Sequence, residues 1–367
     1  MRKALIVAVA AMFLTTGVAQ ASTSGLQRDL DAVRDSGAVG VQARVVSPGK
    51  ESAGSSGTSV LGRNVPVSVD GHFRIGSDTK TFAATVLLQL VAQGRLSLDD
   101  SVEKWLPGLV RGNGYDGNLI KVRNLLQHTS GIYDYPHAVE LEMATEAGFR
   151  KHRFKRMAPE KVVELSVAHP PVFAPGAKWE YSNVNYIIAG MIIEKVTGRS
   201  WRAEVRDRII VPLGLRNTTL PGDFPFLPRP HAEGYTLTGT GAFRSTEVSL
   251  GWGGAAAEIV STTKDLGAFW RALLGGKLLP PAQLAEMKTT VPLGPADAYG
   301  LGVIRHVTNC GVVTWFHNGG TPGFITGGAV TEDGRTSVIT SLSNDGEIKA
   351  QGAAMTRLVD NAICRQG

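Results

Sequence analysis

The sequence predicts an α/β protein in which an antiparallel β-sheet, flanked by helices, is built from both ends of the chain. Near the N-terminus, Gly40–Val46 alternates like a strand and ends in a Ser-Pro-Gly-Lys turn. Four more strand-like segments follow at residues 301–307, 312–317, 325–331 and 337–342. Asp333-Gly334 is a hairpin signal between the last two of them.

The region between the early and late strands has mainly helical patterns. Residues 81–93 are apolar on nearly all sides and stop at Gly94, which predicts a helix buried in the interior. Further helices are predicted at residues 122–127, 159–167, 185–197, 263–274 and 349–363. The pattern therefore predicts a mostly helical region inserted between the early strand and the late strands.

The N-terminus has the features of a secretory signal peptide. Residues 1–21 contain Arg2 and Lys3, an apolar run from Ala4 to Leu14, and small residues at positions 19 and 21. We expect cleavage after Ala21 and a secreted protein. An N-terminal membrane anchor is the alternative, although the apolar run is short for a span. No later segment is apolar enough to cross a membrane.

The composition is that of a globular protein with enough length for a large core: 367 residues, 43% hydrophobic and 19% charged. The two cysteines, Cys310 and Cys364, predict one disulfide between the last helix and a late strand if the protein is exported. Two free buried thiols are the alternative. The sequence contains no nucleic-acid motif and no metal-ligand spacing, so we expect neither a nucleic-acid partner nor a metal or organic cofactor.

Ser77 and Lys80 open the buried helix and raise a specific question. Ser77 follows Gly76 and is expected to cap the helix, but the first turn normally favours acids over a cation such as Lys80. Residues three apart share a helix face. Burial and the helix dipole both disfavour the ammonium, and a neutral lysine can take the proton of a serine. Ser77 is therefore a candidate nucleophile with Lys80 as its base.

The Ser-x-x-Lys pattern alone is weak, because it occurs three times in the chain. The copy at Ser47 is a turn. The copy at Ser261 opens an ordinary amphipathic helix, where we expect the serine to be a simple cap. Only the copy at Ser77 opens a helix that must be buried.

Two further stretches supply candidate partners. Tyr181 and Asn183 lie in "KWEYSNVNYIIAG", where a tyrosine can shuttle a proton and an amide can orient a carbonyl. His317 ends the strand "VVTWFHNGG", whose glycines let a substrate backbone lie close. Structural roles remain open for all three: a packed loop tyrosine, a capping asparagine and a core histidine.

Together these stretches resemble the serine penicillin-recognising enzymes, the β-lactamase-related serine hydrolases. Their signature is Ser-x-x-Lys, Tyr-x-Asn and Lys/His-x-Gly, in that order. The resemblance is strongest to secreted actinomycete D-alanyl-D-alanine carboxypeptidases, which are relatives of class C β-lactamases. It extends to "RIGSDTKTF", "LLQHTSGIYDY", "YSNVNYIIAGMIIEKVTG", "STTKDL" and "YGLGV", and thus to nearly the whole chain after residue 21.

The resemblance implies an α/β sandwich domain of residues 22–76 and 255–367, a mostly helical domain of residues 77–254, and an active-site cleft between them. It also implies a role for each matching residue. Ser77 would be acylated, with Lys80 as its base partner and Tyr181 as the proton relay to the leaving group. Asn183 would contact the substrate carbonyl, and the backbone N–H groups of Ser77 and Gly320 would form the oxyanion hole. His317, Asn318 and Gly319 would occupy the Lys/His-x-Gly position, and Trp252 would form an aromatic wall of the cleft. Cys310 matches the disulfide position of the family.

Two positions depart from the peptidase pattern. Where such a peptidase has threonine and arginine to hold the terminal carboxylate of its substrate, this chain has Asn318 and Ile304. Arg305 is adjacent, but strand alternation would point it to the opposite face. The missing cation weakens the carboxypeptidase assignment and leaves the acyl-serine chemistry intact.

The sequence thus favours a secreted serine hydrolase, first of all a D-alanyl-D-alanine carboxypeptidase acting on peptidoglycan stem peptides and inhibited by β-lactams. An esterase or β-lactamase on the same scaffold is the alternative among enzymes, with a small ester or amide as substrate. A penicillin binder or sensor without turnover is the alternative outside enzymes.

Overall fold

The computed structural model describes residues 16–346 and 349–366. Its helices are α1 Thr16–Asp35, α2 Thr79–Ala92, α3 Val102–Trp105, α4 Val122–Leu126, α5 Tyr135–Met143, α6 Glu146–His152, α7 Pro159–Val167, α8 Val184–Thr197, α9 Trp201–Val205, α10 Val211–Leu213, α11 Thr263–Leu274, α12 Pro281–Met287 and α13 Lys349–Cys364. Its strands are β1 Gly40–Ser47, β2 Lys50–Gly57, β3 Phe73–Arg74, β4 Arg111–Gly112, β5 Tyr115–Asp116, β6 Tyr235–Thr238, β7 Gly241–Arg244, β8 Val260–Ser261, β9 Val291–Pro292, β10 Asp297–Tyr299, β11 Ile304–Val307, β12 Val313–Phe316, β13 Gly319–Thr321, β14 Phe324–Thr331, β15 Ser337–Leu342 and β16 Asn344–Asp345.

The main sheet joins both ends of the chain, as the sequence predicts. Its order is β2-β1-β15-β14-β12-β11-β10-β9, with β13 paired to β14. Each of these pairings is antiparallel. The turn at Gly334, whose φ is +70°, closes the predicted hairpin between β14 and β15. The predicted fold class, an antiparallel sheet flanked by helices, is confirmed.

Alternation along the strands gives the sheet two buried faces. Val338 and Leu342 of β15 belong to an apolar cluster formed with α1 and α13. Ile339, between them, faces the other way and joins the larger core that contains α2, α8 and α11. The helices thus cover both faces of the sheet. The division of the chain at residues 76 and 255 stays a prediction.

The buried helix α2 is the centre of the larger core. Residues 79–88 of this helix are all buried, in agreement with its apolar sequence. Phe82 stacks on Phe269 of α11, with ring centroids 3.7 Å apart. The helix therefore has a fixed position relative to the sheet, and the residues at its start are fixed with it.

Some elements are not among those that the sequence predicts. The Gly- and Ser-rich segment after β1 forms β2, the second strand of a hairpin with β1. The small sheet β16-β6-β7 was not predicted, because its strands are short and far apart in sequence.

Residues 1–15 of the predicted signal peptide lie outside the described residues, and α1 extends across the expected cleavage point at Ala21. A search of the described helices finds none that is long and apolar enough to cross a bilayer.

The two cysteines meet at the edge of the sheet. The sulfur atoms of Cys310 and Cys364 lie at bonding distance, with Cα atoms 6.1 Å apart. This bond links the turn between β11 and β12 to the end of α13, as expected from the sequence.

Removal of this disulfide should lower stability without changing the fold. It closes a loop with a sequence separation of 54 residues. Cross-links of this kind stabilise proteins by about 2–4 kcal/mol, because they restrict the unfolded chain. We expect Cys310→Ser and Cys364→Ser to lower the free energy of unfolding by this amount in urea titrations. Reduction of the wild-type protein should reproduce the effect, and equal midpoints for reduced and oxidised protein would contradict it.

Candidate active site

The turn that carries Ser77 lies directly against the sheet edge. Gly76–Asp78 form a 3-10 turn that continues into α2. Gly76 has a φ of +55°, and a Cβ at this position would lie 2.6 Å from the carbonyl oxygen of Gly320. Only glycine fits there, because both the backbone conformation and the space exclude a side chain.

The Ser77 hydroxyl does not cap α2, so the capping expectation is wrong. The N-cap residue is Asp78, and α2 has no side-chain cap. The hydroxyl instead accepts a hydrogen bond from the Tyr181 hydroxyl at 2.7 Å and lies 3.0 Å from Nζ of Lys80. These tertiary contacts turn the serine away from the helix start and towards the two groups that can move its proton.

Lys80 is fully buried, and its amine has three neighbours. Nζ donates to Oδ1 of Asn183 at 2.8 Å and to the carbonyl oxygen of Ala256 at 2.9 Å. A neutral amine has two N–H donors and one lone pair. With both donors directed to these fixed acceptors, the lone pair is left for the hydroxyl of Ser77.

Lys80 and Tyr181, the two hydrogen-bond partners of the Ser77 hydroxyl, differ in their protonation states. Burial lowers the pKa of Lys80 to about 7, against the opposing effect of the carboxylates of Glu140 and Asp134. Burial also raises the pKa of Tyr181 well above its usual range. Near neutral pH the amine can therefore accept a proton, whereas the phenol keeps its own.

A half-buried acid, Asp134, orients Asn183. The backbone N–H of Asn183 donates to Oδ1 of Asp134 at 2.9 Å, and Nδ2 of Asn183 donates to Oδ2 of the same residue at 3.1 Å. Oε1 of Glu140 lies 3.5 Å from the same Nδ2. Burial raises the pKa of Asp134 to about 6. The two acids were missed from sequence, because the contact joins residues 49 positions apart.

His317 contributes no charge to the site. Its Nδ1 donates to the carbonyl oxygen of Asn318 at 2.7 Å, and its Nε2 accepts from the hydroxyl of Tyr299 at 2.9 Å. Burial lowers the pKa of His317 to about 3, with the Lys80 charge as a further cause. A neutral ring with both nitrogens occupied cannot replace a lysine. Tyr299 was missed, although "YGLGV" lies within the family resemblance.

The glycines after His317 let the strand lie close against the turn of Ser77. A Cβ on Gly319 would lie 1.8 Å from the carbonyl oxygen of Ile75 and 3.2 Å from the backbone nitrogen of Ser77. At Gly320 a Cβ would meet nothing within 4 Å. The strand is therefore tight against the turn on one side and open on the other, where a substrate backbone can lie beside it.

A second histidine supports the tyrosine loop. His128 is buried and has a φ of +57°, which is unusual for a residue with a side chain. Its Nδ1 accepts from the backbone N–H of Ser182, and its ring centroid lies 4.3 Å from that of Tyr181. His128 thus helps to fix the position of Tyr181. It lies in "LLQHTSGIYDY", where only the family resemblance drew attention to it.

These elements surround one cleft of about 610 Å³, a typical size for a small-molecule site. Eight predicted site residues line it: Ser77, Tyr181, Asn183, Trp252, His317, Asn318, Gly319 and Gly320. Lys80 lies beneath the cleft floor, in contact with Ser77. The disulfide lies elsewhere. Within the described part of the chain, no cluster of three His, Cys, Asp or Glu side chains could hold a metal ion.

The charges of this cleft are unusual for a carboxylate-binding site. Its described lining contains the acids Glu140 and Asp345 and the residues His137 and His317, but neither lysine nor arginine. Ile304 lines the cleft where the peptidase pattern has arginine. Its neighbour Arg305 does not line it, in agreement with strand alternation.

Comparison with known proteins connects this geometry to a family. The family described as Beta-lactamase matches residues 26–362. A D-stereospecific amidohydrolase from Streptomyces sp. superposes with a TM-score of 0.84 at 42% identity, over 90% of this chain and 98% of that protein. A D-amino acid amidase from Ochrobactrum anthropi SV3 superposes with a TM-score of 0.82 at 28% identity, over 95% and 100%.

Relatives found by sequence include Penicillin-binding protein 4* of Bacillus subtilis (strain 168), 26% identical over 288 residues, which are 74% of this chain and 60% of that protein. The chain spans 39% to 60% of the length of the first three curated relatives it matches. Since the family match covers nearly the whole described chain and the neighbours are amidohydrolases, the chain belongs to the Beta-lactamase family and is a serine hydrolase.

Proposed function

We propose that this protein hydrolyses amides or esters of D-amino acids that carry a free amino group, through an acyl intermediate on Ser77. The charge of the cleft carries this proposal. Its described lining has carboxylates at Glu140 and Asp345 and neither lysine nor arginine, so it favours an ammonium over a carboxylate. The D configuration is proposed from the likeness to the D-stereospecific amidohydrolase and the D-amino acid amidase.

In the proposed acylation, Lys80 is the base. Its lone pair takes the proton of Ser77 while Oγ attacks the substrate carbonyl. The peptide N–H groups of Ser77 and Gly320 stabilise the oxyanion, and Asn183 contacts the substrate. Tyr181 gives its proton to the leaving amine and recovers one from the Lys80 ammonium, so the proton of the serine ends on Tyr181 and Lys80 is neutral again.

In the proposed deacylation, water replaces the departed amine. Lys80 or Tyr181 removes a proton from the water as it attacks the ester carbonyl, and the released Ser77 oxygen regains a proton. The products are the free amino acid and the amine or alcohol. The chain's own side chains supply every proton transfer.

A D-alanyl-D-alanine carboxypeptidase on peptidoglycan stem peptides is the second candidate, as the sequence resemblance implies. The open side of the strand at Gly320 favours it, because an extended peptide can lie there. It requires a group that holds the terminal carboxylate, and the candidates Asn318 and Ile304 are uncharged.

We also propose that the chain is exported and cleaved after Ala21. The bonding distance between Cys310 and Cys364 supports an oxidising compartment. Expression in a secreting host, followed by N-terminal sequencing, tests this: the mature protein should begin at Ser22, and an intact N-terminus on cell-associated protein would contradict it.

A substrate panel should separate the two candidate activities. We expect D-phenylalaninamide to be hydrolysed faster than its L form, its N-acetyl form and an N-acylated D-alanyl-D-alanine peptide. Loss of the ammonium should lower kcat/KM about tenfold or more, since one lost ionic contact of about 1.4 kcal/mol has that effect. Liquid chromatography of the products gives the rates.

Ser77→Ala is the control for this panel and should lower kcat about 10³-fold or more on every substrate. A fluorescent penicillin should label Ser77 in the wild type only, as located by mass spectrometry. If the D-alanyl-D-alanine peptide is the best substrate, the carboxypeptidase candidate is right and the amidase proposal is wrong.

The base assignment predicts the pH dependence. Because only the neutral amine of Lys80 accepts a proton, kcat/KM should fall tenfold per pH unit below about pH 7, the pKa of this group. An ester without an amine is the suitable substrate, since it does not titrate. Glu140→Gln should move this limb to lower pH, because the carboxylate of Glu140 stabilises the ammonium. An unmoved limb would mean that another group is the base.

A further inference from the structure

Three buried polar atoms that line the cleft have no hydrogen-bond partner in the described structure. They are Nε1 of Trp252, Oγ1 of Thr321 and Oδ1 of Asp345. Trp252 is 4% exposed and Thr321 is 7% exposed. Buried polar groups are nearly always bonded, so unpartnered atoms in the wall of a substrate cleft indicate where a ligand supplies the missing partners.

Two of these atoms lie at one end of the cleft. Thr321 ends β13, directly after Gly320, and is followed by the hairpin turn at Pro322. Asp345 ends β16 and lies close to Thr236 and to the backbone N–H of Gly323, which both act to lower the pKa of its carboxyl. One of its carboxylate oxygens, Oδ1, has no hydrogen-bond partner among the described residues.

The remaining wall of the cleft is apolar. Leu250, Trp252, Pro322 and Ile325 line it together with Thr321 and Asp345. Burial raises the pKa of Asp345 to about 6, so the carboxylate is ionised above that pH. An apolar passage with a carboxylate is suited to a carbon chain that ends in a cation.

A substrate whose leaving group lies near the hydroxyl of Tyr181 has its acyl part on the other side of Ser77. Thr321 follows Gly320 directly in β13, and both Thr321 and Asp345 line the cleft that contains Ser77. An acyl part that extends along β13 past Gly320 would therefore reach Thr321 and Asp345.

We propose that Asp345 and Thr321 form a second subsite, which binds an ammonium group of the acyl part several bonds away from the scissile carbonyl. This rests on the proposed function only in that Ser77 is acylated. The ammonium has two chemical sources: the side chain of a lysine- or ornithine-like residue, or the N-terminus of an additional residue before the scissile one. Glu140 is not the acceptor, because it already lies beside Asn183 and His137.

Two pairs of amides distinguish the sources. The first compares D-lysinamide with D-norleucinamide, which differ by the terminal ammonium. The second compares D-alanyl-D-norleucinamide with its N-acetyl form, which lacks the terminal charge. The readout is the ratio of kcat/KM within each pair.

We expect one of the two ratios to exceed about tenfold in the wild type, the size of a single ionic contact. Asp345→Asn should reduce that ratio to near one, and the other ratio should change little. Asp116→Asn, an exposed aspartate on a short strand outside the cleft, is the matched control and should retain the wild-type ratios.

Thr321→Val covers the case in which Asp345→Asn fails to fold, and it should reduce the same ratio several-fold. If both variants fold and both ratios stay at the wild-type value, the unpartnered atoms bind only water and the proposal is wrong. If none of the amides is hydrolysed, the proposed function fails instead, so the two failures are distinguishable.

Discussion

The exclusion of water from the amine of Lys80 is the constraint on which the site depends. A lysine that stays neutral near pH 7 must be buried, so the helix that carries it is buried on all sides. The core around α2 therefore has a chemical as well as a structural purpose. Gly76 and Gly319 also help to exclude water, because they let the sheet edge pack closely against the turn of Ser77.

Burial of His317 also affects the charge of the cleft. His317 is buried, neutral and bonded at both nitrogens, and the described lining of the cleft contains neither lysine nor arginine. The acids Glu140 and Asp345 then dominate the cleft's charge. Under the proposed function, a few wall residues of the cleft determine whether the substrate carries a carboxylate or an amine, and the residues around Ser77 stay the same.

Much of this arrangement could be predicted from local sequence. The apolar helix after Ser77 and the order of three motifs identified the nucleophile region and the sheet. The capping role of Ser77 was wrong, because a tertiary bond to Tyr181 prevailed over the local rule. The contact of Tyr299 with His317, and the approach of Asp345 to the cleft, were not predictable, since folding brings distant segments together there.

The most direct test of this account is the pKa of Lys80 itself. Heteronuclear NMR of selectively labelled lysine side chains, with Lys80→Arg to assign the resonance, follows the protonation of this amine against pH. The account predicts a midpoint near pH 7, where burial places the pKa. A side chain that remains protonated up to pH 9 or above would contradict it, and the search for the base would have to move to another group.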